Sequence, residues 1–128
     1  MTLDYYFLTL VSKKMNLYPI LQSQIEQAQT LPITEERKDV LQVLIDYVQQ
    51  KVDQDQDINL NYICTHNSRR SQFSQIWGKV AAAFHGIDIH SYSGGVEVTA
   101  FNERAVASIE RFGFKVNKKG EGNPKYFV

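Results

Sequence analysis

Cysteine is almost absent: Cys64 is the single one in 128 residues. A lone thiol can form no intramolecular disulfide and no multi-cysteine zinc site, so Cys64 is either a small hydrophobe or a reactive group. Surplus charge is absent too. Fourteen Lys+Arg balance fourteen Asp+Glu, which leaves no positive excess to displace counterions and excludes a generic grip on nucleic acid. No run approaches the roughly 20 apolar residues that span a bilayer. Residues 5–11, from Tyr5 and Tyr6 on, are apolar. They precede their basic pair, Lys13-Lys14, and no small-residue cleavage site follows, a poor export signal. The expected compartment is a reducing cytoplasm, with no membrane partner. Met15 lies just beyond, so residues 1–14 can be read as an extension from an upstream start codon.

What is present divides into two periodicities. Leu17, Leu21, Ile25 and Ala28 recur at spacings of four, four and three and share one helix face. Pro32 interrupts that pattern. Thr34 is placed to cap a second helix, with Glu35 and Glu36 in the turn where the dipole favours negative charge. Val40, Leu41, Leu44, Ile45, Val48 and Val52 make its apolar stripe. The two helices read as a hairpin that must bury this stripe against something else. Residues 53–57, Asp-Gln-Asp-Gln-Asp, read as a solvated connector.

From Ile58 the period shortens. Residues 58–63 alternate and then turn apolar, a strand; residues 64–70 read as a loop. Phe73, Ile76, Trp77, Val80, Ala81 and Phe84 follow at helical spacing until Gly86. Residues 87–92 predict a second strand, closed by the turn pair Gly94-Gly95. Asn102 is placed to cap a helix through Val106, Ile109 and Phe112, with Gly113 at its C′ position. Phe114-Lys115-Val116 predicts a third strand. This β-α-β-α-β order predicts an α/β fold, a parallel sheet with helices on its faces. It occupies residues 57–128, after a helical extension over residues 1–56. The chain closes on Tyr126-Phe127-Val128, an apolar run with no helix after it, and is expected to stop inside a larger fold.

The chemistry concentrates between the first strand and its helix, in Cys64-Thr65-His66-Asn67-Ser68-Arg69-Arg70-Ser71. A loop of this length can turn successive N–H groups inward as a nest for a tetrahedral anion, and the following helix adds its unpaired N–H groups and dipole. Arg70 can hold two oxygens of the anion in its fork. A positive nest lowers a thiol pKa from about 8.5 to roughly 3.5–7.5, and the Ser71 hydroxyl can add a hydrogen bond to the sulfur. The thiolate would then attack phosphorus in line with the leaving oxygen, giving a phosphocysteine that water hydrolyses, with loop amides and Arg70 stabilising equatorial charge. No metal and no cofactor is required. The bland alternative is a buried cysteine at a strand end, since C-x5-R alone is a weak pattern.

With Asn67 in the loop, Ser71 after the arginine, a strand before and an amphipathic helix behind, residues 58–116 resemble the low-molecular-weight protein tyrosine phosphatases. They also resemble the arsenate reductases built on the same fold, and the best match is to a bacterial branch with a helical N-terminal extension. The resemblance implies a three-layer α/β domain with Cys64 as nucleophile, Arg70 as the phosphate-binding arginine and Ser71 as thiolate stabiliser. Asn67 is implied to brace the loop, and Thr65, His66, Ser68 and Arg69 to complete the oxyanion site. Ser93-Gly94-Gly95 is similar to the small-residue turn beside that site. Two departures stand out. Arg69 occupies the place where such phosphatases often carry a second, guarding cysteine. Their general acid lies in an Asp-Pro loop, and no Asp-Pro occurs in this chain, so an impaired phosphomonoesterase without its last strand and helix is expected. Asp88, Glu97 and Glu103 do not match that motif and read as turn or helix-start residues.

Three functions follow from different classes: a phosphatase acting on a phosphorylated protein, an arsenate reductase served by an external thiol, and a module that binds an oxyanion or phosphorylated partner without turnover. A misfolded truncated product and a homodimer remain open. His66 reads as exposed, or as touching the anion or tuning the thiolate. His85 and His90 lack a third ligand for a metal. Trp77 reads as core, and Lys115, Lys118, Lys119 and Lys125 as a solvated face.

Overall fold

The computed structural model describes residues 17–128. The apolar start with Tyr5 and Tyr6, and the extension over 1–14, lie outside the described residues. The described chain is mixed α/β. Its elements are α1 (Pro19–Gln29), α2 (Glu35–Asp53), β1 (Asn59–Cys64), α3 (Arg70–Phe84), β2 (His90–Gly95), α4 (Glu103–Arg111), β3 (Asn117–Lys119) and β4 (Lys125–Phe127).

Local chemistry sets the helix ends. The Thr34 hydroxyl accepts from the Arg37 amide at 3.3 Å. The Asn102 side chain accepts from the amides of Arg104 and Ala105. Each cap satisfies donors that the first turn leaves without an internal partner. Gly86 and Gly113 follow α3 and α4 at φ of 69° and 102°, a left-handed conformation that a Cβ disfavours.

Leu21 and Ile25 of α1 and Val80 of α3 form one apolar cluster with Phe101, Phe114, and Ala105 and Ile109 of α4. Trp77, expected in the core, is half-buried and packs against this cluster, edge-on to Phe112 at 5.6 Å and to Phe114 at 5.3 Å. The stripe of α2 behaves differently. Leu41, Val48 and Val52 are only half-buried and Val40 is 64% exposed, so no α2 residue is fully buried. Its link to β1 is polar, through the Tyr47 hydroxyl, which meets the amide and carbonyl of Asn59 at 3.4 Å.

β1 and β2 pair in parallel, Asn59 opposite His90 through Cys64 opposite Gly95, with α3 as the crossover packed on both. The second strand begins later than its sequence predicts. The Ile87 amide still closes α3 on the Ala82 carbonyl, and the ladder opens at the His90 amide donating to Ile58. Pairing then continues through Gly94 and Gly95, expected to be a turn. Residues 114–116 do not join this sheet. Phe114 is drawn into the core beside Trp77, and Lys115 lies over the Tyr18 ring at 4.6 Å. The chain pairs next as an antiparallel hairpin, β3 with β4, so Tyr126 and Phe127 are strand residues of a second small sheet.

Candidate active site

Alternation along β1 turns Tyr62 toward α3, where its hydroxyl lies against Gly78, and Cys64 falls on the same side two residues on. Residues 65–69 then bridge to α3, which begins at Arg70 without any side-chain cap. Its first-turn amides have no internal partner, and that of Ser71 is turned to the Cys64 sulfur. Sγ lies 3.0 Å from the Ser71 hydroxyl oxygen and accepts from the Asn67 amide at 3.2 Å.

These bonds bring the Cys64 thiol down to about 6. The Ser71 hydroxyl is the largest cause and the Ser71 amide the next; burial opposes them, and the Asn67 and His66 amides add to the lowering. The acidity is thus made by hydrogen bonds, chiefly from the first turn of α3. Cys64 is half-exposed, as a nucleophile must be.

Ser71 is almost wholly buried, at 2% exposure, and its hydroxyl proton has two acceptors, the sulfur and Asn67 Oδ1 at 2.8 Å. When the thiol is neutral, S–H can donate to Ser71 and Ser71 to Asn67. When it ionises, the hydroxyl turns to the sulfur and a rotated Asn67 amide can donate in its place. Ser71→Ala is expected to cost the thiolate this donor. Alkylation by iodoacetamide, which consumes only thiolate, should be half-maximal near pH 6 in the parent protein. In the variant the midpoint should move upward, to about 7 or above. An unchanged midpoint would remove Ser71 from the account.

Asn67 sits at φ 48°, a left-handed position that asparagine tolerates better than most side chains. Its carbonyl accepts from Gln72 at 3.1 Å, so it ties loop to helix from both its main chain and its side chain.

The outer rim of the loop is held by residues 95–102. The amides of Val96 and Glu97 both donate to the Thr65 carbonyl at 3.0 Å, and the Asn102 amide donates to the Ser68 carbonyl at 2.9 Å. The Thr99 hydroxyl donates to the His66 carbonyl. In a trans peptide the C=O and the next N–H point oppositely. Tying the Thr65, His66 and Ser68 carbonyls outward therefore sends the His66, Asn67 and Arg69 N–H groups inward, the arrangement of an anion nest. Gly95 makes the approach possible, because a Cβ there would lie 2.7 Å from the Asn67 nitrogen and 2.9 Å from the Thr65 oxygen.

Cys64, Asn67 and Ser71 are thus brought together, and Thr65, His66 and Ser68 contribute main-chain groups. Arg69 and Arg70 are exposed at the start of α3. The His66 imidazole turns to the rim, its Nε2 3.0 Å from Glu97 Oε2. Asp88 pairs with Lys79 at 3.0 Å and its carboxyl is held below the usual range by that hydrogen bond, a structural tie on α3. Glu103 lies in the first turn of α4. His85 lies edge-on to Phe84 and is pushed down by burial. Among the described residues no three His, Cys, Asp or Glu side chains converge as for a metal, and no helix is long and apolar enough to cross a membrane. Sequence reasoning missed Gln72, Thr99 and the contact made by Glu97. The only local signal was the glycine pair directly before the rim segment.

Comparison with known proteins agrees in part. Over 56 residues, 44% of the chain, the sequence is 36% identical to "Arsenate reductase 2" of Staphylococcus haemolyticus (strain JCSC1435). The same values hold for "Arsenate reductase 2" and "Arsenate reductase" of two Staphylococcus epidermidis strains, RP62A and ATCC 12228. The match spans 40% of the length of these relatives. No family model matches the chain. No solved structure matches it either.

Proposed function

We propose that the chain is a cysteine-dependent catalyst of the low-molecular-weight phosphatase and arsenate reductase type, in which the Cys64 thiolate attacks a tetrahedral oxyanion seated in the loop. The observation that carries this reading is the sulfur itself, half-exposed, bonded by Ser71 and Asn67, and ionised from about pH 6. Asn67 and Ser71 act as braces, while the inward amides of His66, Asn67 and Arg69 and the Arg70 guanidinium hold the oxygens. The reading carries with it a three-layer domain over residues 57–128, a helical extension over residues 1–56 and a cytoplasmic setting.

With a phosphomonoester, sulfur bonds to phosphorus as the P–O bond breaks, and the leaving oxyanion departs with a proton from water. Water then attacks phosphorus, the S–P bond breaks, and inorganic phosphate and thiolate are regenerated. With arsenate, the second reading, sulfur displaces hydroxide from arsenic. An external thiol then attacks that sulfur, and arsenite leaves with the S–As electron pair as arsenic(V) is reduced to arsenic(III). A second external thiol restores Cys64 from the mixed disulfide. The printed names of the staphylococcal relatives favour this alternative, and the single cysteine means that both reducing thiols come from outside the chain.

One assay pair separates them. Nitrophenyl phosphate has a leaving group that needs little protonation, so its release reports the nucleophile alone; where no general acid assists, poorer leaving groups are slowed by about 10²–10⁴-fold. The phosphatase reading expects a burst of nitrophenolate equal to the thiol present, and far slower turnover of phosphotyrosine. The reductase reading expects arsenate-dependent oxidation of glutathione. Binding of phosphate with neither signal would leave a non-catalytic oxyanion module.

A further inference from the structure

His66 is the hinge between two peptide planes. The plane before it presents the His66 N–H to the sulfur, and the plane after it presents the Asn67 N–H. The backbone angles of this one residue therefore decide whether both donors point inward. The loop fixes them from outside. The Thr65 carbonyl before the hinge is taken by the Val96 and Glu97 amides, the His66 carbonyl after it by the Thr99 hydroxyl, and the His66 imidazole by Glu97 Oε2. Residue 97 thus grips the loop twice, once with its main chain and once with its carboxylate.

Bulk stability is a poor explanation for that second grip. Both side chains are more than half exposed, at 53% and 60%, and exposed ion pairs contribute about 0–1 kcal/mol. A contact too weak to matter to the fold can still matter to a loop whose function depends on two peptide orientations. We propose that Glu97 is a positioning residue of the Cys64 site, acting through His66 to hold the His66 and Asn67 amides toward the sulfur and any oxyanion above it, with the Thr99 hydroxyl doing the same through the His66 carbonyl. The inference rests on the proposed oxyanion function for its meaning, though not for its test.

The test uses the full chain and two readouts: the pH midpoint of Cys64 alkylation, and the concentration of inorganic phosphate that half-protects the thiol. Glu97→Ala should raise the midpoint by up to about 0.7 pH unit and the half-protecting phosphate by up to about fivefold, the most that so weak a contact can transmit to either equilibrium. Glu97→Gln, which can still accept from His66, should stay within about twofold of the parent. Thr99→Val should shift both readouts in the direction of Glu97→Ala. Sign separates positioning from plain charge, since removing a carboxylate near a thiolate would by Coulomb interaction lower the midpoint.

A Glu97→Ala midpoint that is unchanged or lowered, or a Gln variant as impaired as Ala, would overturn the proposal. So would a large fall in melting temperature, which would make Glu97 a residue of the fold. A parent thiol that phosphate does not protect would sink the oxyanion function instead, and the alkylation midpoints would still decide the role of Glu97.

Discussion

Cys64→Ser is expected to abolish phosphoenzyme formation and thiol-dependent arsenate reduction, a loss of at least about 10⁴-fold as for other deleted nucleophiles, while phosphate still binds. The serine hydroxyl keeps the shape of the site, and the Asn67 amide and Ser71 hydroxyl can still bond to it. It does not ionise near neutral pH, whereas the thiol does from about 6. Arg70→Ala should behave differently. It leaves the sulfur and its donors untouched, because Arg70 is not among the causes of the low thiol value. Removing a guanidinium that grips the transferred group costs about 10³-fold or more in rate and should weaken phosphate affinity as well. Burst measurements with nitrophenyl phosphate and calorimetry with inorganic phosphate read both variants. Turnover surviving in Cys64→Ser, or unchanged phosphate affinity in Arg70→Ala, would contradict the proposed roles.

The second large effect is expected at a position with no side chain. A Cβ on Gly95 would lie 2.7 Å from the Asn67 nitrogen, 2.9 Å from the Thr65 oxygen and 3.0 Å from the His66 carbonyl carbon. All three are main-chain atoms of the loop between β1 and α3 and none can swing aside. The strand cannot slide either, since Gly95 is in register with Cys64 and a slip of one residue would invert every side chain. Gly95→Ala must therefore push the loop outward, at a cost of about 1–3 kcal/mol for overpacking. Phosphate protection of the thiol should weaken at least about tenfold as the Asn67 amide leaves the sulfur. Gly94→Ala is the control, because its Cβ would meet only Asn61 Oδ1 at 3.9 Å. Equal behaviour of the two alanine variants would refute the close-approach argument.

The parts legible in the sequence were those decided within a few residues. Thr34 and Asn102 cap the helices they were expected to cap, Gly113 takes its left-handed turn, and the spacing C-x5-R-S brings Cys64, Asn67 and Ser71 into mutual contact. The misread parts depend on partners far along the chain. Gly94 and Gly95 look like a turn until the ladder with Ile63 and Cys64 recruits them into β2. Phe114 opens an alternating segment that resembles a strand, yet Trp77 offers it a better place in the core. Glu97 looked like an ordinary turn carboxylate. Its partner His66 lies in another loop, as does the His66 carbonyl met by Thr99 from 33 positions away. Neither tie leaves a local trace.

Ser71 joins two roles that are usually kept apart. It is the one polar side chain fully sunk below the surface among the described residues, and it is also the chief source of acidity at the sulfur. Any event that unseats the start of α3 from the end of β1 must therefore be felt as a change in thiol ionisation. The protein carries, in its only cysteine, an internal gauge of how well that junction is closed.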